Sequence, residues 1–157
     1  MTDTRTKEHL VDSIKLAMQN VRQRKTWPFG AVLAKDDKVI AKAVNEVDAT
    51  CDPSAHAEMQ AIRQASKSLG TTDLSGAVVY ASGYPCPMCL SAMYLAGIRQ
   101  VYYAYSNEDG APYDLSAERG YIELERPVNE RELHLTYAPV RDEGEDLYEA
   151  WKKHMES

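Results

Sequence analysis

The 157-residue chain is short of cysteine, with three, and of phenylalanine, with one. Three cysteines cannot build the disulfide framework of a small secreted domain, so that class is excluded and a reducing, cytoplasmic setting is expected. The first eight residues, Met1-Thr2-Asp3-Thr4-Arg5-Thr6-Lys7-Glu8, lack the basic-then-apolar order of a secretion signal. Basic charge is scarce toward the C-terminus: residues 106–157 hold 14 acidic and 6 basic side chains, against 10 and 12 in residues 1–105. Phosphate contacts supply most of a nucleic-acid binder's affinity and need a basic patch, so the acidic segment argues against a polynucleotide partner. Lys152-Lys153 reads as a solvated helix face. Repeats and low-complexity tracts are absent. The stretch from Leu74 to Ile98 carries no charge and is long enough to cross a bilayer. Gly83-Tyr84-Pro85-Cys86-Pro87 breaks it, so a buried strand, loop and helix are expected there and no membrane span. The length fits one domain, residues 1–157.

The remaining pattern alternates α and β. Leu10, Ile14, Ala17, Met18 and Val21 mark one face of a helix over His9 to Gln23. Phe29 to Ala34 and Val39 to Val44 are apolar runs joined by Lys35-Asp36-Asp37-Lys38, a hairpin signal. Asp52-Pro53-Ser54 reads as the start of a helix that Leu69-Gly70 closes. Ala77 to Ala81 and Gln100 to Tyr105 are further strands, with a helix from about Cys86 to Ala96 between them. This order predicts crossover units and a sheet covered on both faces. Beyond Tyr105, Ser106 to Asp114 reads as a loop, Leu115 to Glu125 and Gly144 to His154 as helices, and Glu132 to Val140 as a strand or extended arm.

His56-Ala57-Glu58, followed 27 residues later by Pro85-Cys86-Pro87-Met88-Cys89, carries the chemistry. It supplies three soft zinc ligands, His56, Cys86 and Cys89, and one carboxylate that the metal does not need. A structural zinc is closed by four protein ligands, whereas a catalytic zinc keeps three and leaves the fourth position for water. Each half-motif alone says little: H-x-E is common by chance, and C-x-x-C serves equally in redox pairs and zinc knuckles. No second C-x-x-C completes a four-cysteine site. The i,i+3 spacing brings the two sulfurs together, and the positive end of a helix dipole favours both as thiolates. Two thiolates blunt the acidity of the metal, which leaves Glu58 to take and return protons. Cys51 reads as a small loop or core residue.

The same motifs, with Pro28-Phe29-Gly30-Ala31-Val32, Asn45 and Asp52-Pro53-Ser54, give a chain that resembles the cytidine deaminase-like superfamily, and within it the small bacterial guanine deaminases. The resemblance runs from about Lys7 to about Val101 and loosens afterwards. It implies a three-layer α/β/α fold with a central five-stranded mixed sheet and one Zn²⁺ per chain. It also implies a homodimer in which residues 106–157 form an arm exchanged between subunits. By the same resemblance Asn45 bonds the substrate ring, while Phe29 and His56 flank its faces. Two positions depart from the pattern: Tyr84 stands where most relatives carry Glu, and Trp27 where the guanine deaminases typically have Gly. Phe29, Asn45, Ala57, Trp27 and Tyr84 form the candidate substrate-binding set. Those enzymes also carry Phe-Asp-Asp, whose nearest counterpart is Tyr113-Asp114-Leu115, so Asp114 joins Glu58 as a catalytic candidate or is a turn residue.

Three readings follow. The first is a zinc-dependent hydrolytic deaminase of a small free base, guanine first, with cytosine, a pterin or a triazine behind it. The second is a tRNA adenosine deaminase, which the acidic C-terminal segment disfavours. The third is a silent zinc-binding scaffold, for which Glu58 has no purpose.

Overall fold

A computed structural model describes residues Thr2–Ser157. Helix α1 spans Thr4–Arg24, started by Asp3, whose carboxylate accepts the Thr6 N–H, and ended by Lys25 in the left-handed region. Strands β1 (Gly30–Lys35) and β2 (Lys38–Val44) form the expected hairpin. Its turn places Asp36 and Asp37 at φ 51° and 64°, the mirror-image turn whose twist matches paired strands. A short helix α2 (Val47–Thr50), α3 (Ala57–Leu69), β3 (Val78–Gly83), α4 (Pro87–Leu95) and β4 (Gln100–Tyr105) follow. Then come α5 (Asn107–Gly110), a 3-10 turn (Ala111–Tyr113), α6 (Glu118–Glu125), a second 3-10 turn (Val128–Glu130) and α7 (Leu147–Met155).

The sheet is mixed, in the order β2-β1-β3-β4. β1 runs antiparallel to both β2 and β3, and β3 runs parallel to β4 through the α4 crossover. Alternation along β1 builds the three layers. Ala31 and Leu33 join the core on the α3 side with Ala57, Ala61, Ala65 and Val79, while Val32 and Ala34 join Tyr80, Leu10 and Leu16 on the α1 side. Leu33 is fully buried and contributes about 2 kcal/mol by removal of its surface from water.

Four strands are found where five were expected. Residues 132–140, the candidate for a further strand, contain none, and Leu135 and Tyr137 lie exposed. The chain forms two compact units, one running to Glu125 and one from Arg126 to Ser157. Among the described residues no helix is long and apolar enough to cross a membrane.

Helix α1 corrects the expected apolar face. Its buried stripe is Thr6, Ser13, Ala17 and Asn20, whereas Met18 and Val21 are exposed. Small residues let the helix lie close to the sheet, and Gly30 is where it comes closest. A Cβ there would stand 2.4 Å from the Ser13 carbonyl oxygen and 2.9 Å from the Ala17 nitrogen. The obstacle is backbone, which cannot rotate away. Gly30→Ala is therefore expected to lower stability by about 1–3 kcal/mol, the usual cost of overpacking, read as a lower urea midpoint.

Candidate active site and metal centre

The ends of the strands assemble the site. Because β1 pairs Gly30 with Val44 and Ala31 with Ala81, the residues just outside those pairs, Phe29, Asn45 and Gly83-Tyr84, emerge at one end of the sheet. Gly83 runs close beneath the Phe29 ring: a Cβ would sit 3.2 Å from it, so the ring would have to give by a few tenths of an ångström.

The first site helix begins later than the sequence led us to expect, and the second begins where it was expected. Asp52 accepts the Ser54 N–H at 2.8 Å and its hydroxyl at 2.7 Å, a local turn that keeps residues 52–55 out of the helix. Helix α3 starts at Ala57, so His56 is its N-cap, with φ −65° and ψ 155°. Cys86 is likewise the N-cap of α4, with φ −70° and ψ 166°, and Pro87 takes the first helical position. Neither side chain caps its own helix. They face each other instead, with His56 Nδ1 3.5 Å from Cys86 Sγ and 3.6 Å from Cys89 Sγ.

These three donors fit a zinc ion. All their ligand atoms lie within 4.8 Å of one another, and they are the one such His/Cys/Asp/Glu group among the described residues. A tetrahedral ion with bonds of about 2.0–2.3 Å separates its ligands by about 3.3–3.8 Å, which brackets the His56–sulfur distances. The electrostatics agree. Without metal, the thiol of Cys89 donates to Cys86 and, with His56, lowers the Cys86 pKa to about 4 against the opposing effect of burial. Cys89 is pushed up by that same hydrogen bond and by burial, and His56 is raised chiefly by its hydrogen bond with Cys86. A divalent ion held by these residues would displace their remaining protons.

Glu58 lies beside this group and outside it. It is 6% exposed, its Oε2 is 3.7 Å from Cys89 Sγ, and burial raises its pKa. A cavity of about 300 Å³ opens over the centre, lined by Trp27, Phe29, Asn45, His56, Glu58, Tyr84, Cys86 and Asp114. Asn45 is held by its Oδ1, which accepts the Val47 N–H at 3.1 Å. Asp114 reaches the lining from a left-handed backbone position, φ 58°. Ala57 is the exception: its side chain is fully buried in the core and is not part of the lining.

Sequence reasoning missed Val47, Pro53 and Leu115 to Ala117 in the lining. Only Pro53 stood in a motif. It also missed Tyr121, whose hydroxyl donates to the Pro85 carbonyl and whose ring meets that of Tyr84 edge-on at 5.7 Å. Its burial alongside Tyr84 raises its pKa to about 12. Cys51 is exposed and stands apart from the metal group.

The family model for the cytidine and deoxycytidylate deaminase zinc-binding region matches residues 4–105. The chain belongs to this family. It is a hydrolytic deaminase acting on C–N bonds, and the expected zinc is the family's metal. Guanine deaminase from Bacillus subtilis is 38% identical over 140 residues, 89% of each chain. The X-ray structure of guanine deaminase from that organism matches with a TM-score of 0.86 and 34% identity, over 97% of this chain and 95% of that one. A tRNA-specific adenosine deaminase from Aquifex aeolicus is 31% identical over 144 residues, 89% of this chain and 92% of that one. The deaminase is expected to purify with about one zinc per chain. Cys89→Ser should lose most of it and melt at a lower temperature, as elemental analysis and a thermal scan will show.

Proposed function

We propose that the protein deaminates a small, neutral amino-heterocycle, with guanine to xanthine and ammonia the first candidate. The observation that carries this reading is the cavity itself. It joins a zinc-ligand group, a buried carboxylate, a ring-sized aromatic wall and a fixed amide, and it contains no lysine or arginine. A nucleotide brings phosphates that need cationic partners, whereas a free base does not. The volume is at the small end for ligand pockets, which suits one heterocycle.

In this reading His56, Cys86 and Cys89 hold the ion, which when bound supplies Lewis acidity that brings the pKa of water toward neutral. Glu58 takes one proton of the attacking water and gives it to a ring nitrogen, then takes the second from the hydroxyl left on the attacked carbon and gives it to the leaving amine, so that ammonia departs as the carbonyl forms. Burial raises the pKa of Glu58 above the ordinary carboxylate value, the direction that favours a carboxyl exchanging protons. Phe29 stacks on the ring. Asn45, its Oδ1 engaged by Val47, offers its NH₂ to a ring acceptor. Asp114 accepts from an N–H of the base. Trp27 and Tyr84 narrow the two sides.

We place the enzyme in the cytoplasm and propose that it is a homodimer, with the C-terminal arm docking on a second copy. The support lies in α7, which buries nothing and leaves Leu147, Tyr148, Trp151 and Met155 exposed at 62–80%. Exposed apolar residues clustered on a short helix mark an interaction surface. The full chain should sediment as a dimer, and Trp151→Glu with Tyr148→Glu should shift it toward monomer.

Ammonia release from guanine, guanosine, cytosine and a tRNA anticodon stem tests the substrate. Guanine should be turned over best. Turnover of the RNA alone would overturn the free-base reading, and turnover of cytosine without guanine would replace the substrate. Glu58→Gln should keep its zinc and lose at least ~10²-fold in kcat. Near-normal kcat in that variant would remove Glu58 from the mechanism.

A further inference from the structure

We propose that Asn20 is a positioning residue that clamps two walls of the substrate cavity. It lies near the end of α1, is 2% exposed, and carries no part of the metal group. Its Nδ2 donates to the Trp27 carbonyl at 2.9 Å and to the Asn45 carbonyl at 3.0 Å. Those two residues come from separate segments, the loop after α1 and the end of β2, and both line the cavity. An amide NH₂ has two hydrogens, so the clamp uses its full donor capacity.

Main-chain bonds complete the arrangement. Phe29 N–H donates to the Trp27 carbonyl at 2.9 Å, and Asn45 N–H donates to the Phe29 carbonyl at 3.1 Å. The aromatic wall and the ring-binding amide are thereby tied to one buried side chain. An aliphatic residue at position 20 would leave the Asn45 carbonyl without that donor, and an unmet buried acceptor is costly. Packing alone does not explain the choice of asparagine, because its Oδ1 is buried with no hydrogen-bond partner. What the amide supplies at this position is its pair of donors, one to each pocket segment. Ser13, buried on the same face of α1, bonds only within its helix, to the Leu10 carbonyl at 2.7 Å.

The inference rests on the reading that this cavity takes the heterocycle, and the experiment separates the two. Trp27 is made the sole tryptophan by Trp151→Phe, since the chain has two. In that background Asn20→Ala is expected to keep its zinc, hold kcat within about threefold, and raise KM for the best amine of the panel about tenfold, equivalent to about 1.4 kcal/mol. Trp27 fluorescence should become more accessible to acrylamide. Asn20→Ser restores one donor and should recover part of the KM, and it carries the comparison if Asn20→Ala does not fold. Ser13→Ala is the control, expected to lower the melting temperature with KM unchanged. The clamp is overturned if the Asn20 variants behave as Ser13→Ala does, or if their loss of activity tracks loss of zinc. A changed quenching with unchanged KM overturns the positioning role and leaves the deaminase intact. If the parent turns over no amine, the functional reading fails by itself, and the quenching comparison still decides the clamp: greater accessibility upholds it and equal accessibility overturns it.

Discussion

The site depends on two helix N-termini being brought to one point with their N-cap side chains turned toward each other. An N-cap residue normally satisfies its own helix, and His56 and Cys86 do not. Because both have extended backbone, their side chains leave the helix axis and meet 3.5 Å apart. Cys89, a turn further into α4, then presents its sulfur to the same place. Had either helix begun one turn earlier, its ligand would lie on the helix surface and the group would open. The Asp52 turn before α3 and Pro87 at the start of α4 are therefore as much part of the centre as its donors.

The sheet supplies everything else by register. Antiparallel pairing of β1 with both neighbours forces the start of β1, the end of β2 and the end of β3 to one side, and those three ends carry Phe29, Asn45 and Tyr84. A slip of one residue in either pairing would send those side chains to the opposite face. Ser82, 4% exposed, opposes such a slip, since its Oγ accepts the Gly30 N–H at 3.0 Å across the β1–β3 pair. The close seat of α1 on Gly30 pins the same point from the other layer.

The metal motif was legible because its chemistry is carried by residue type and spacing, which survive without coordinates. The sheet covered on both faces was legible for a related reason: the strands are short apolar runs that alternate with helices. The face of helix α1 was read in part: Ala17 is buried and Leu10 packs on the core as expected, but Thr6, Ser13 and Asn20 complete the buried stripe, and an apolar count selects Met18 and Val21 in their place. Helix α2 was missed because Val47–Thr50 is shorter than any periodic signal. Leu115 to Ala117 were missed because a loop places its residues by backbone path, and nothing in a Leu-Ser-Ala sequence points toward a cavity. The fifth strand was an expectation carried by resemblance, and residues 132–140 do not form it.

Departures from local rules gather around this cavity. Glu58 is a carboxyl placed in the core, where burial disfavours its charge. Asn20 keeps a buried acceptor without a partner. Asp114 lines the cavity from left-handed backbone that glycine would adopt more easily, whereas Lys25 and Cys51 take the same region as C-caps of α1 and α2. Away from the site the described chain obeys ordinary preferences: Gly70 and Gly97 take the left-handed positions after α3 and α4, and Asp36-Asp37 sits in a turn that tolerates it. A fold optimised for stability alone would remove the first group before the second. Glu58 and Asp114 line the cavity and Asn20 ties two of its lining residues, with the rest of the core carrying the free energy that keeps them in place.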